Sequence, residues 1–252
     1  MNRNEHLNGV CQDYTYDGLG LVRDGSGFCV FVKEMLRGES GEIVVTKDKR
    51  RYAYGRWLKL EETSPHRVTP SCPIYKACGG CQLQHMDTVE QAWFKQHLVQ
   101  QDLDAIGGLD VTARPIITMT EPYHYRNKMQ LPVGRDGQGQ GVVGFYRYNT
   151  HDIVPVDRCL LQDPAADGIL SDLRAAIARR GLWDVVRHIV IKSMPATAQA
   201  MVALVLWHED DRIGGLADEV MARQSQVRSF VTCVNEADTN VVWGHDEHVV
   251  RG

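Results

Sequence analysis

The chain has 252 residues, with 28 Lys and Arg against 32 Asp and Glu, for a formal net charge of −4 at pH 7. That length suits two domains, and that charge excludes a protein that is basic all over, though not a local basic patch. Hydrophobic residues make up 43% and charged residues 24%, an ordinary globular composition with no apolar run of about 18 residues to span a membrane. The N-terminal MNRNEHLNGVCQDY lacks the apolar stretch of a secretory signal. The expected compartment is the cytoplasm, where thiols stay reduced and clustered cysteines read as metal ligands rather than disulfides.

Residues 1–62 read as an all-β domain. Short apolar runs at Gly20–Val22, Phe28–Val32, Glu42–Thr46 and Tyr52–Leu60 alternate with turns at Asp17-Gly18, Asp24-Gly25-Ser26-Gly27 and Arg37-Gly38-Glu39. Strands this short and closely spaced predict an OB-like barrel, closed or nearly so. A linker and cysteine loop follow over 63–86, with Pro65, Pro70 and Pro73 keeping the crossing extended.

The loop CPIYKACGGCQLQH holds Cys72, Cys78 and Cys81, and Cys159 stands alone in VPVDRCLLQDP. Gly79 and Gly80 place two of these cysteines in a loop rather than an apolar run, against core packing. Structural zinc sites usually use two short paired units. Three local cysteines plus one distant cysteine favour a closed 4Fe-4S cluster, with electron transfer the weaker option. Cys11, Cys29 and Cys233 lie in apolar segments and read as ordinary buried residues.

Residues 87–252 read as an α+β domain. Asp87, with Glu90 three residues on, signals a helix start in the manner of a capping box. Val89, Ala92, Trp93, Val99, Leu103 and Ile106 share the expected apolar face, and Gly107-Gly108 ends the helix. Strands at Lys128–Val133 and Val142–Tyr148 flank GRDGQGQG, which reads as a hairpin tip because no helix and no Lys-Ser follow it. Asp163-Pro164 opens a second helix with Ile169, Leu170, Leu173 and Ile177 inward and Gly181 at its end. Strands at Val186–Ile191 and Met201–Trp207, a helix near Leu216–Arg223 and a strand near Val227–Val234 complete a mixed sheet.

Electrostatics point to RNA. The segment KDKRRYAYGRWLK carries Lys47, Lys49, Arg50, Arg51, Arg56 and Lys59 against the single acid Asp48. Basic groups of this density neutralise phosphates. The interleaved Tyr52, Tyr54 and Trp57 either stack on bases or point inward, with the inward reading slightly ahead. Arg126 and Lys128 alternate on one strand face, with Phe145, Tyr146, Arg147 and Tyr148 on the next.

Several stretches resemble the bacterial RNA (uracil-5)-methyltransferases, specifically the 23S ribosomal RNA branch. CGGCQLQHM with its following helix is similar to that family's cluster loop. YHYRNKMQLPVG and VGFYRYNTHDIVPVDRC resemble its central domain, leading to the fourth cluster ligand. YDGLGLVRDGSGFCVFVKEMLRGE resembles the RNA-binding TRAM module. Leu36-Arg37-Gly38-Glu39 departs from the family's Leu-Pro-Gly-Glu.

The resemblance implies a 4Fe-4S cluster on Cys72, Cys78, Cys81 and Cys159 that braces the RNA-facing surface. It implies RNA contacts from Lys47, Lys49, Arg50, Arg51, Arg56, Arg126, Lys128 and Arg147, with ribosomal RNA as partner in a monomeric protein. The family's Rossmann-like catalytic domain, which uses S-adenosylmethionine to make 5-methyluridine, is expected beyond Gly252. No strand–GxGxxG–helix unit occurs within residues 1–252. Cys233 reads as structural, so these residues are expected to recognise RNA without methylating it. The alternative is a stand-alone iron–sulfur or zinc RNA-binding protein.

Overall fold

The computed structural model describes residues 1–252, apart from the side chains of residues 245 and 246. The chain forms two compact units: Met1–Tyr75 with Cys81–Thr120, and Lys76–Gly80 with Glu121–Gly252. These bounds differ from the expected breaks at 62/63 and 86/87.

The first unit is built on a closed five-stranded barrel of order β1-β2-β3-β5-β4. Its strands are β1 (His6–Tyr14), β2 (Gly20–Arg23), β3 (Cys29–Lys33), β4 (Ser40–Asp48) and β5 (Tyr52–Glu62). β1 pairs with both β2 and β4 and so closes the barrel. It was not anticipated, because HLNGVCQDY shows no clear apolar alternation. Inward side chains from every strand, among them Cys11, Val22, Val30, Val32, Ile43, Val45 and Ala53, form one core with Met35. Closure leaves no sheet edge open to other strands.

Two buried carboxylates fasten the rest of this unit to the barrel. Glu39 is fully buried. It accepts N–H bonds from Leu36 at 2.8 Å and Ser64 at 3.2 Å, and a two-pronged contact from Arg67 at 2.5 and 2.6 Å. Glu90, on helix α1 (Thr88–Ala105), accepts from the Tyr14 hydroxyl at 2.7 Å and from the Arg37 guanidinium at 3.3 Å. Arg37 in turn lies 3.6 Å over the Trp93 ring.

The start of α1 is as the sequence indicated: Asp87 accepts the Glu90 N–H at 2.8 Å. Its buried face is not. Val89, Val99 and Ile106 are exposed, while Glu90 and Phe94 are buried. The helix has little apolar asymmetry, so the Tyr14–Glu90–Arg37 bonds and the packing of Trp93, Phe94 and Leu98 near Tyr14, Leu36 and Met86 set its rotation.

The second unit is a seven-stranded mixed sheet of order β12-β11-β10-β9-β6-β7-β8. Its strands are β6 (Lys128–Arg135), β7 (Gly141–Tyr146), β8 (Ile153–Pro155), β9 (Val186–Met194), β10 (Gln199–Leu206), β11 (Val227–Val234) and β12 (His245–Arg251). Helices α2 (Ala165–Arg180) and α3 (Arg212–Arg223) pack on it. β10 and β11 run parallel and are joined through α3, while the other strand pairs of the sheet are antiparallel. The short β8 and the terminal β12 were not anticipated.

The predicted inward set of α2 is correct: Ile169, Leu170, Leu173 and Ile177 are all fully buried. Gly181 ends that helix in the left-handed conformation, φ 61° and ψ 41°, which a Cβ would disfavour. GRDGQGQG is the tip of the β6–β7 hairpin. There the Asp136 carboxylate accepts the N–H groups of Gln138 and Gln140, both at 2.9 Å. Among the described residues no helix is long and apolar enough to cross a membrane.

Candidate functional site

The basic residues of the first unit gather on the β4–β5 hairpin. Lys47, Lys49, Arg50, Arg51, Arg56 and Lys59 are all exposed. Arg50 adopts a left-handed conformation, φ 66°, at the turn, and its N–H is held by the Asp48 carboxylate at 2.8 Å. Among the described residues none of the six cations has an acidic partner. Such a set raises the local positive potential despite the net negative charge of the chain.

The aromatics between them divide. Strand alternation turns Ala53 and Gly55 inward, so Tyr52 and Tyr54 lie on the outer face, half-buried. The parallel register sets Tyr54 beside Phe31 and Lys33 beside Arg56. Ring centroids are 5.2 Å apart for Phe31 and Tyr52, 5.9 Å for Phe31 and Tyr54, and 5.7 Å for Tyr52 and Tyr54. The inward reading is therefore corrected for these two tyrosines. It holds for Trp57, which packs against the barrel core with the Arg67 guanidinium 5.6 Å from its ring.

In the second unit Arg126 and Lys128 are exposed, and Lys128 sits directly across from Lys192 on β9. Lys192 was not singled out from the sequence. Only the β6–β9 register reveals it, because IVIKSM reads as a plain apolar strand. Among the described residues Arg126, Lys128 and Lys192 have no acidic partner. Like charges facing each other across two strands repel, and an anion bridging them would relieve that repulsion. Arg147 differs: it is 3.9 Å from Asp152 and bridges through its backbone to Cys78.

The four candidate metal ligands are all half-buried. Cys72 and Cys81 belong to the first unit, and Cys78 and Cys159 to the second. The turn after Cys78 is tight, with the Gly80 N–H 3.3 Å from the Cys78 sulfur. Gly79 donates to the Tyr146 carbonyl at 2.9 Å, and a Cβ there would come within 3.0 Å of the Tyr148 Cα. Only glycine lets the loop approach β7 this closely. The Cys159 backbone carbonyl accepts the Gln162 N–H at 3.0 Å.

Four thiols are the right donor chemistry for an iron–sulfur cluster. Among the described residues, however, no group of three or more His, Cys, Asp or Glu is gathered to hold a metal ion. The expected cluster thus has donor chemistry but no assembled site to support it.

Two of the remaining cysteines, Cys11 and Cys233, read as structural. Cys11 is buried, and burial pushes its thiol up to about 12. Burial also raises Cys233 on β11, in line with a structural residue. Cys29 departs from expectation. It is half-buried on the outer row of β3, with Arg23 donating to its sulfur at 2.9 Å.

Compared with protein-family models, the chain matches none. It is similar over its full length to proteins named uncharacterized RNA methyltransferase. The identity is 34% for one from Bacillus cereus, 35% for one from Halalkalibacterium halodurans and 36% for one from Oceanobacillus iheyensis. The chain spans 56–57% of the length of these relatives. Among solved structures it is similar to the Pyrococcus abyssi tRNA (uracil-54, C5)-methyltransferase in complex with S-adenosyl-L-homocysteine. That match has a TM-score of 0.66 and 22% identity, and covers 96% of this chain and 55% of the other. At that identity the likeness concerns the fold.

Proposed function

We propose that this chain belongs with the RNA methyltransferases it is similar to, and that it is the RNA-recognition portion of a 23S ribosomal RNA (uracil-5)-methyltransferase. The observation that carries the reading is full-length similarity to proteins named for RNA methylation, coinciding with a hairpin that exposes six cations without acidic partners among the described residues. Lys47, Lys49, Arg50, Arg51 and Arg56 hold phosphates on the first unit. Arg126, Lys128 and Arg147 do so on the second, Arg147 after release from Asp152. Each phosphate neutralised releases counterions, so affinity falls as salt rises.

None of residues 1–252 is assigned to bond making. The parent enzyme would take its methyl group from S-adenosylmethionine, while these residues bind and orient the RNA around the target uridine. Such a base has to leave its stack to be reached, and contacts to the flanking backbone hold the rest of the RNA in place.

Cys72, Cys78, Cys81 and Cys159 are proposed as the ligands of a 4Fe-4S cluster, on the strength of their spacing and sulfur chemistry. The cluster would supply a rigid covalent tie between the cysteine loop and the Cys159 segment, with no part in methyl transfer. Anaerobic reconstitution followed by iron and sulfide analysis tests this. Four irons per chain, lost together with fold stability in Cys159→Ala, is the expected result. A Cys159→Ala protein with unchanged iron content and stability removes the assignment.

The reading as a whole is tested by titrating the chain with a 23S rRNA fragment over a salt series. Affinity should fall steeply with salt, and Lys49→Ala/Arg51→Ala should lower the slope of log K against log salt by about 2. A salt-independent affinity would sink it. The rival is a stand-alone metal-dependent RNA-binding protein, which would bind RNA without supporting methylation in any longer form of the chain.

A further inference from the structure

We propose that Phe31, Tyr52 and Tyr54 form a platform on the outer face of the barrel that stacks unpaired RNA bases. This makes the first unit a reader of single-stranded rather than duplex segments. The inference deepens the RNA-binding reading above and rests on it.

The geometry comes from strand alternation. Val30, Val32 and Ala53 are fully buried, which leaves Phe31, Tyr52 and Tyr54 on the opposite face of the same strands. Three rings with centroids 5.2–5.9 Å apart, half-exposed, form a continuous aromatic surface rather than scattered side chains. Burial, followed by the neighbouring Tyr52 hydroxyl, raises the Tyr54 phenol, so that ring stays neutral over the working pH range.

The surroundings select the occupant. Along the strands the aromatic row runs into Lys33 and Arg56, paired in register. Across the ladder Lys47 faces Tyr54. Lys49, Arg50 and Arg51 form the turn into β5. Lys33 has a carboxylate nearby, Glu34 at 3.7 Å, and Asp17 acts electrostatically on Tyr54. Cations still outnumber these acids around the rings. Aromatic faces rimmed by phosphate-binding cations match a single strand, whose bases offer their faces while its backbone tracks the charges. A duplex hides those faces inside its stack and would meet only the cations.

The experiment measures binding of the chain to a single-stranded oligouridine and to an RNA duplex of equal phosphate count, across salt. Tyr52→Leu/Tyr54→Leu should weaken the single strand by roughly 10-fold or more. It should leave duplex affinity and both salt slopes unchanged. Tyr52→Phe/Tyr54→Phe, which keeps the rings, should bind as wild type. Thermal melting of each variant checks that the barrel has folded, and the Phe pair carries the test should the Leu pair melt early.

Equal losses for single strand and duplex, or no loss for either, overturn the platform while leaving the RNA-binding reading intact. A wild-type chain that binds neither RNA overturns both. A Phe pair that loses affinity as the Leu pair does overturns stacking in favour of the hydroxyls.

Discussion

The two units solve the same packing problem by different chemistry. In the second, α2 seals against the sheet with Ile169, Leu170, Leu173 and Ile177, an apolar stripe needing no polar contact. Its chief buried cation, Arg187, stacks 4.5 Å from the Trp207 ring and donates to the carbonyls of Asn235 and Thr239 at 2.9 and 2.7 Å. In the first unit, the segments outside the barrel share one small apolar cluster around Leu36, Met86 and Phe94, and two buried carboxylates hold them as well. Glu39 gathers residues 36, 64 and 67, and Glu90 gathers Tyr14 and Arg37. Apolar burial is forgiving of position, whereas an ion pair with three or four donors fixes one arrangement. The lesson is that the attachments to the barrel in the first unit are set partly by a few polar atoms, whereas α2 in the second is set by an apolar stripe.

The largest effect should follow from Glu39→Ala. It removes the buried carboxylate that accepts from half-buried Arg67 and from two backbone N–H donors, and should cost about 3 kcal/mol, as breaking a buried pair from one side does. The denaturant midpoint of the first unit's transition reads it. A loss under about 1 kcal/mol would erase the contrast between the units. Leu173→Ala in the second unit should cost about 2–5 kcal/mol through the cavity it leaves, read the same way, and should leave the first unit's transition in place.

A smaller effect concerns pH, and both units share it. His85 and His188 are buried, and burial foremost pushes each down to about 4 from an ordinary 6.5, aided by Arg67 and Arg187 respectively. The Tyr75 hydroxyl donates to the Gln82 carbonyl at 2.8 Å, so the His85 Nδ1–H donates to Tyr75, leaving a bare, buried Nε2. Above about pH 6.5 each histidine is neutral whether folded or unfolded. Between 6.5 and 4 the unfolded chain binds more protons, so stability is lost as the pH is lowered, by up to about 1.4 kcal/mol per pH unit for each histidine. His85→Phe should flatten that slope in the first unit only, and His188→Phe in the second only. Urea midpoints from pH 7 to 4.5 would separate them. Least of all, Val99→Ala should shift stability by no more than about 0.5 kcal/mol, since Val99 is exposed. A larger loss would restore the helix face expected from sequence.

That last case shows where the sequence was legible. The α2 stripe is local, so its four inward residues could be named from spacing alone, along with the glycine that ends it. The α1 face could not, because its orientation is set by Tyr14 and Arg37, 76 and 53 residues away from Glu90. The Glu39–Arg67 pair is hidden for the same reason, at a separation of 28 residues. Among the candidate contacts, the cations of KDKRRYAYGRWLK were visible as a charge run. The outward turn of Tyr52 and Tyr54 needed the barrel's alternation, and Lys192 needed its strand partner.

Residues 76–80 belong to the second unit although the chain on either side belongs to the first. This has a consequence for biosynthesis. The first unit cannot finish until residues 81–120 have been made, so the cysteine loop is present before its eventual partners. Cys78 bridges to Arg147 and Gly79 bonds to Tyr146. At translation rates of about 5–20 residues per second, those residues arrive several seconds later. During that interval residues 76–80 lack the strand partners they have in the finished unit.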